Sequence, residues 1–329
     1  MMIIQRKYKA LLFLLGLVSS AAWFGCKDNV DLPDQPLESY INVYMPQGIN
    51  GPVTTNLKVK ENLIQTVVFG ADYGGYGYPD TDVPVSFAVD NSLVATYNAA
   101  NKTSYQVLPA ASYSMSSTNS VIPQGKLGTE PLKISFKTTG SGAMTAFTTY
   151  LLPVTLSSPT VKVRESLKTV YYVVRALPDL ADYQNFDRSK FSIVDFSSQE
   201  ANGEGPNNGR AVFVLDGANT TFWHSQWQNG TASPPHYLTI DMGELKTFHG
   251  LSFLARQSGD DGKPNEVNLK LSTDNVTWTD YGTLNLANSQ ALQSVFFPSA
   301  YSKQARYFKI TINSSYGSGV THLAELYAF

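Results

Sequence analysis

The sequence predicts an all-β chain made of two β-sandwich domains, and three observations carry that prediction. Apolar and polar residues alternate with a period of two over short runs. Clusters rich in Gly, Pro, Asn and Ser punctuate those runs, and no stretch beyond the amino terminus shows a long amphipathic helical period. With 329 residues, 43% of them apolar, the chain has the length for two ordinary domains.

The amino terminus carries Arg6, Lys7 and Lys9, then an apolar run from Ala10 to Val18, then small residues before Cys26, the only cysteine. This order is that of a signal peptide, assigned to residues 1–25. The run is shorter than the roughly 20 apolar residues that span a bilayer. Cys26 with Gly25 before it resembles the acylation site of bacterial lipoproteins, although Trp23 and Phe24 stand where that motif has Leu and a small residue. Residues 26–36 follow as a tether, and Lys27-Asp28-Asn29-Val30-Asp31 resembles the acidic export tag of surface-exposed lipoproteins of Bacteroidota. The expected location is the outer membrane at the cell surface, with a lipid anchor as the sole membrane contact; a plain secreted protein is the alternative. One cysteine allows no intramolecular disulfide, so stability must come from the core.

Residues 37–177 form the first expected domain. Val83, Val85, Phe87 and Val89 alternate with polar or small residues, as do Leu132, Ile134 and Phe136, and Leu93 to Ala100 suggests one short helical turn. Tyr73-Gly74-Gly75-Tyr76-Gly77-Tyr78 is either a mobile hairpin tip or an aromatic platform for sugar C–H faces. Pro178-Asp179-Leu180-Ala181-Asp182 has linker character, and residues 178–188 are assigned to the linker. In residues 189–329, Tyr237, Thr239 and Asp241 alternate with Leu238, Ile240 and Met242, and Val267, Leu269 and Leu271 alternate with Asn268, Lys270 and Ser272. The clusters NGEGPNNG, QNGTASPP, QSGDDGKPN and NSSYGSG separate these strands.

Within that second segment, VLDGANTTFWHSQW (Val214 to Trp227) joins an acidic turn, a hydroxyl and two tryptophans, and HLAELYAF adds a distant carboxylate. Ca²⁺ takes six to eight oxygen ligands and accepts carbonyls as readily as carboxylates. Asp216, Thr221 and Glu325 are the candidate side-chain ligands, with the Phe213 and Ala218 carbonyls as fillers. The alternative is an ordinary Asp-Gly turn and a surface charge.

A resemblance bears on this choice. Through VLDGANTTFWHSQW, PPHYLTIDMGELKTFHGLSFLARQ, VNLKLSTDNVTWTDYG, ARYFKITINS and HLAELYAF, the segment resembles a discoidin, or coagulation factor 5/8 type C, domain of the sort classed with family 32 carbohydrate-binding modules. It is also similar to the amino-terminal sugar-binding domain of galactose oxidase through FWHS, PPHYLTIDMG and LSFLARQ. The resemblance implies an eight-stranded jelly-roll sandwich with a structural calcium beside the ligand loops, and places Asp216, Thr221 and Glu325 on the family's side-chain calcium positions. YINVYMPQG, VPVSFAVDNSLVATYNAANKTSYQVLPAASYSM, VIPQGK, TYLLPVTL and VYYVV resemble a domain of unassigned function at the amino end of Bacteroidota surface lipoproteins. The fold implied there is an immunoglobulin-like sandwich.

Sugars ask for polar partners on their hydroxyls and an aromatic ring on their apolar face. His224 and Trp227 leave the calcium loop, Arg256-Gln257 leaves the strand LSFLA, Asp260, Asp261 and Asn265 follow, and Tyr316 lies in the last loop before Glu325. Sugar-binding members of the family often use a histidine, an arginine, an asparagine and an aromatic, roles the resemblance gives to His224, Arg256, Asn265 and either Trp227 or Tyr316. Other readings stand beside these. Trp223 and Trp278 read as core residues, His224 as a loop-holding residue, and Asp260 or Asp261 as a partner of Arg256. His236, His249 and His322 lack metal-ligand spacing.

A net charge of −2, with 15% charged residues, supplies no basic field for nucleic acid. The expected function is a non-catalytic surface glycan-binding lipoprotein that holds oligosaccharide for neighbouring glycosidases and importer components. An adhesin or assembly protein is the main alternative, though its loop tips would carry more large apolar residues. A weakly active glycoside hydrolase accessory is the other, but the adjacent Asp260-Asp261 pair is poorly placed to flank a bond. Neither a Gly-x-Ser-x-Gly elbow nor a zinc helix is present.

Overall fold

The protein is seen in a computed structural model that describes residues 36–329. The expected signal peptide, Cys26 and all but the last residue of the expected tether lie outside the described residues.

The first half contains β1 (Asn42–Tyr44), β2 (Val53–Lys58), β3 (Ile64–Phe69), β4 (Asp72–Gly74) and β5 (Val83–Val89), then helix α1 (Leu93–Asn101). It continues with β6 (Gln106–Val107), β7 (Tyr113–Met115), β8 (Asn119–Ile122), β9 (Leu132–Lys137), β10 (Thr149–Ser157) and β11 (Thr169–Leu177). One sheet runs β2-β11-β10-β5-β8 with β6 on β10; a second runs β3-β9-β7; β1 and β4 pair apart. The alternating residues point as their pattern requires. Val83, Val85 and Phe87 of β5 meet Ile134 and Phe136 of β9 in one core. β10 and β11 are buried on both faces, because Leu151 and Val173, which point away from that core, are covered by Val94 and Tyr97 of α1. The expected helical turn is therefore a nine-residue helix with a packing role. In the tyrosine run, Tyr73 belongs to the core, whereas Tyr76 and Tyr78 are 65% and 63% exposed.

The second half contains β12 (Ser192–Phe196), β13 (Trp223–His224), β14 (His236–Phe248), β15 (Gly250–Leu254) and β16 (Lys263–Ser272). β17 (Thr279–Asn285), β18 (Gln293–Phe296), β19 (Lys303–Tyr316), β20 (His322–Leu323) and β21 (Glu325–Ala328) complete it. A five-stranded sheet, β12-β14-β19-β16-β17, faces a three-stranded one, β18-β15-β21, and β13 pairs with β20. Leu238, Ile240, Met242, Val267, Leu269 and Leu271 are buried between the sheets with Phe253 and Leu326. Trp223 is fully buried, and its indole N–H donates to the Ser198 carbonyl at 2.9 Å. Trp278 departs from the expectation: it is half-buried on the outer side of the five-stranded sheet and takes no part in the core.

Residues 178–188 are docked rather than slack. The Asp179 carboxylate accepts the Ala181 N–H to cap a short turn, and the Tyr183 and Tyr301 hydroxyls meet at 2.5 Å. Phe147, held at φ +65°, sets its ring 5.6 Å from Phe296 and 5.5 Å from Tyr301, so aromatic contacts join the two halves.

Candidate functional site

Glu200, only 3% exposed, organises the loops at one end of the second sandwich. One of its carboxylate oxygens accepts the Asn202 and Gly203 N–H groups at 3.3 and 2.9 Å. The other accepts those of Trp227 and Gln228 at 3.0 and 2.7 Å. Burial opposes ionisation, but the four backbone donors outweigh it and hold the carboxyl down to about 2 from the usual 4.5. Gly203 lies so close that an added Cβ would stand 2.7 Å from Trp227 Cζ2. One carboxylate thus ties the 200–204 turn to the start of the 227 loop.

That turn delivers Glu204, which is the meeting point of the loops. Its Oε1 accepts the Trp227 indole N–H at 2.9 Å and lies 3.9 Å from His224 Nε2, while its Oε2 lies 4.0 Å from Arg256 Nη2. His224 Nδ1 faces the Ser225 carbonyl at 2.6 Å, so the hydrogen sits on Nδ1 and Nε2 looks toward the carboxylate. The Arg256 guanidinium stacks 4.1 Å from the centroid of Phe222, and its Nε donates to Ser258 at 3.0 Å. Trp227 remains 41% exposed. The arrangement offers a hydroxyl-accepting carboxylate, a planar donor, an imidazole and an open ring face.

Three of the sequence-predicted sugar residues, His224, Trp227 and Arg256, thus converge through Glu204, a residue that sequence reasoning passed over. The other three face protein partners. Gln257 donates to the Ala255 and Gln290 carbonyls at 2.7 and 2.9 Å. Asn265 donates to Ser314 at 3.2 Å and accepts the Leu286 N–H through its carbonyl, and the Tyr316 hydroxyl donates to the Leu286 carbonyl at 2.8 Å. Tyr316 ends β19 rather than lying in a loop. Asp260 and Asp261 do not pair with Arg256; Asp260 pairs with the buried Lys263 at 3.9 Å and Asp261 with His322 at 3.7 Å. The His322 ring lies 5.1 Å from that of His224, tilted by 45°, across the β13-β20 pair. Burial first, then the charges of His224 and Arg256, lower its pKa well below 6.5, which keeps it neutral.

A second cluster is made of oxygen atoms. Thr221 Oγ1 lies 2.7 Å from Asp216 Oδ2 and 2.8 Å from the Ala218 carbonyl oxygen, yet the hydroxyl has one hydrogen to give. Glu325 is 1% exposed, its Oε1 is buried without a hydrogen-bond partner, and it lies within hydrogen-bonding reach of Asp216. Burial raises the Glu325 pKa, Arg188 opposes that, and Asp216 adds to it. Arg188 binds the other side of the carboxylate, Nη1 to Oε2 at 2.5 Å, and also donates to the Val214 and Leu326 carbonyls. Phe213 sits in the turn Ala211–Leu215 that leads to Asp216. Among the described residues no group of three His, Cys, Asp or Glu side chains is placed to hold a metal. A hard cation here would draw on hydroxyl and carbonyl oxygens, and an oxygen cluster short of hydrogens, with an orphaned carboxylate oxygen, fits such an ion.

Comparison with known proteins places two domains in order along the chain. Residues 194–326 match the model of the F5/8 type C domain family, and residues 37–163 match a family model described as "-like, N-terminal domain". The two matches follow one another along the chain without overlapping. A sialidase of Micromonospora viridifaciens is 30% identical over 143 residues, 43% of this chain and 21% of that protein. A galactose oxidase of Gibberella zeae is 34% identical over 120 residues, 35% of this chain and 17% of that protein. The chain therefore spans about a fifth of the length of these relatives. Among solved structures, the C-terminal domain of a chitobiase from Bacteroides fragilis is 31% identical with a TM-score of 0.41, covering 44% of this chain and 97% of its own. A family 32 module of Clostridium perfringens in complex with galactose is 23% identical with a TM-score of 0.37, covering 43% and 94%.

Proposed function

We propose that the protein is a non-catalytic, cell-surface glycan-binding lipoprotein whose F5/8 type C domain grips a sugar between Glu204, His224, Trp227 and Arg256. The observation that carries this reading is the convergence on Glu204: one carboxylate holds the indole N–H of a half-exposed tryptophan and lies within 4.0 Å of an imidazole and a guanidinium at the same loop end. Trp227 takes the apolar face of the sugar ring, and the charged groups take vicinal hydroxyls through charge-assisted hydrogen bonds. The relatives named as a sialidase and a galactose oxidase act on sugars, and each shares with this chain a stretch about as long as one of its domains.

In this reading a structural Ca²⁺ is held by Asp216, Thr221 and Glu325 with the Ala218 and Phe213 carbonyls, and it pins the turn that precedes the Trp223–His224 strand. When bound, the ion would supply positive charge to the Asp216, Thr221 and Ala218 oxygens and to the Glu325 oxygen that Arg188 leaves without a partner. Lipidation at Cys26 anchors the chain in the outer membrane, where it concentrates oligosaccharide near glycosidases and importer components of a glycan-utilisation system.

The test is a glycan array followed by calorimetry on the full chain. Galactose, N-acetylgalactosamine or N-acetylglucosamine termini are expected to bind, and Arg256→Ala is expected to weaken binding at least tenfold while shifting Tm by less than about 2 °C. Silence across a broad array with capture of a protein partner instead, or reducing-end release by the chain, overturns the reading.

A further inference from the structure

The outer face of the five-stranded sheet carries a groove of about 570 Å³ that shares no residue with the Glu204 cluster. Its size falls within the usual range of small-ligand sites. Strand register lays one row of side chains across its floor, Asp195, Thr239, Lys309 and Lys270, and continues it past the groove to Asp280. Two lysines directly opposite one another destabilise a sheet unless negative charge is near.

The carboxylates at the ends of the row are largely committed. Asp280 lies 3.8 Å from Lys270 Nζ and also accepts from Asn268 and the Gly282 N–H. Asp195 takes the Phe196 N–H and lies within reach of the Tyr237 hydroxyl. Lys309 is left over the Tyr237 ring, 3.6 Å from its centroid, with no carboxylate partner among the described residues. At the edge of the groove Trp278 is half-buried and makes no hydrogen bond or ring contact among the described residues. A tryptophan outside the core, beside a cation without a counterion, is an arrangement that core packing does not call for.

We infer that this groove is a second binding site, for a carboxylate-bearing saccharide. The sugar carboxylate sits between the Lys309 and Lys270 ammonium groups and the ring face lies on Trp278. A net charge of −2 provides no long-range attraction, so the site selects its ligand at contact distance, and a generic polyanion gains little from it.

Calorimetry on the full chain tests this with trigalacturonate, 3′-sialyllactose and the methyl ester of each. At least one acid is expected to bind, with its methyl ester at least tenfold weaker. Lys309→Gln and Trp278→Ala are each expected to weaken that acid at least tenfold. Arg256→Ala is expected to leave it unchanged, which separates this site from the Glu204 loops. Because Trp278→Ala risks the fold, Lys309→Gln at a partly exposed position, with Tm checked, carries the decision. Equal binding of acid and ester, no effect of Lys309→Gln, loss in Arg256→Ala, equally tight binding of a DNA oligonucleotide, or no binding of either acid overturns the inference.

Discussion

Replacing Glu200 with Gln removes half of a four-donor anion site without changing its shape. One carboxylate oxygen holds Asn202 and Gly203 while the other holds Trp227 and Gln228, so the amide nitrogen of Gln must face two backbone donors. Hydrogen bonds to a charged group contribute roughly 1.5–3 kcal/mol each. Two are lost, but Trp227 and its loop are partly open to water, which recovers some of that, and a net loss of about 2–4 kcal/mol follows. For a domain of this size it corresponds to a Tm lowered by roughly 5–12 °C. The pH dependence makes the test specific. The Glu200 pKa is depressed, so its stabilisation is fully present above 4.5 and is lost as pH falls from 4.5 toward about 2. The gap in Tm between wild type and Glu200→Gln is therefore expected to be widest at neutral pH and to shrink below 4.5, measured by calorimetry in matched buffers. Glycan affinity should fall as well, because the same carboxylate sets Glu204 beside Trp227. A gap below about 1 °C at pH 7, or one that stays constant down to pH 3, would refute the assignment of Glu200 as an ionised loop anchor.

Two further outcomes follow from the other clusters. Calcium at about a hundred times its dissociation constant adds about 2.7 kcal/mol, so chelation should lower Tm by roughly 5–10 °C. Glu325→Gln should abolish that response, and an unchanged Tm with and without chelator in wild type would count against a bound ion. His322 is held neutral in the fold while the unfolded chain takes up a proton near 6.5, so stability should decline as pH drops below that value. His322→Gln should flatten that slope by about one proton, read from denaturant midpoints between pH 7 and 5; an NMR titration placing His322 near 6.5 would contradict the burial argument.

Much of the fold was legible because period-two patterning reports burial directly. Val83, Val85 and Phe87, like Leu238, Ile240 and Met242, face inward as their alternation requires. The helix over Leu93–Asn101 was visible only as a turn, since its covering role depends on Leu151 and Val173 facing outward, and that follows from tertiary packing. Trp278 was misread for a related reason. It stands in the loop just before β17, where no alternation says which face a ring will take, and an apolar residue at a strand end fits core or surface equally.

Legibility of the site tracked sequence distance. Asp216, Ala218 and Thr221 lie within one short turn, so their crowding around shared oxygens is close to a local property, and Glu325 joins them because β21 ends the chain beside that turn. Glu204 gave no comparable signal. It sits in NGEGPNNG, a cluster whose Gly and Asn content marks it as a turn, and a single acid in a turn is normally a solvated charge. What makes it a hub is Glu200, four residues earlier, which binds backbone N–H groups on both sides of a gap of more than twenty residues and so brings the turn against Trp227. Backbone donors carry no side-chain identity, so nothing at Asn202, Gly203, Trp227 or Gln228 advertises that a carboxylate is needed there. A buried anion satisfied wholly by main chain leaves its mark on the geometry and not on the sequence of its partners. For this chain, that anion places the carboxylate on which the three predicted sugar residues meet.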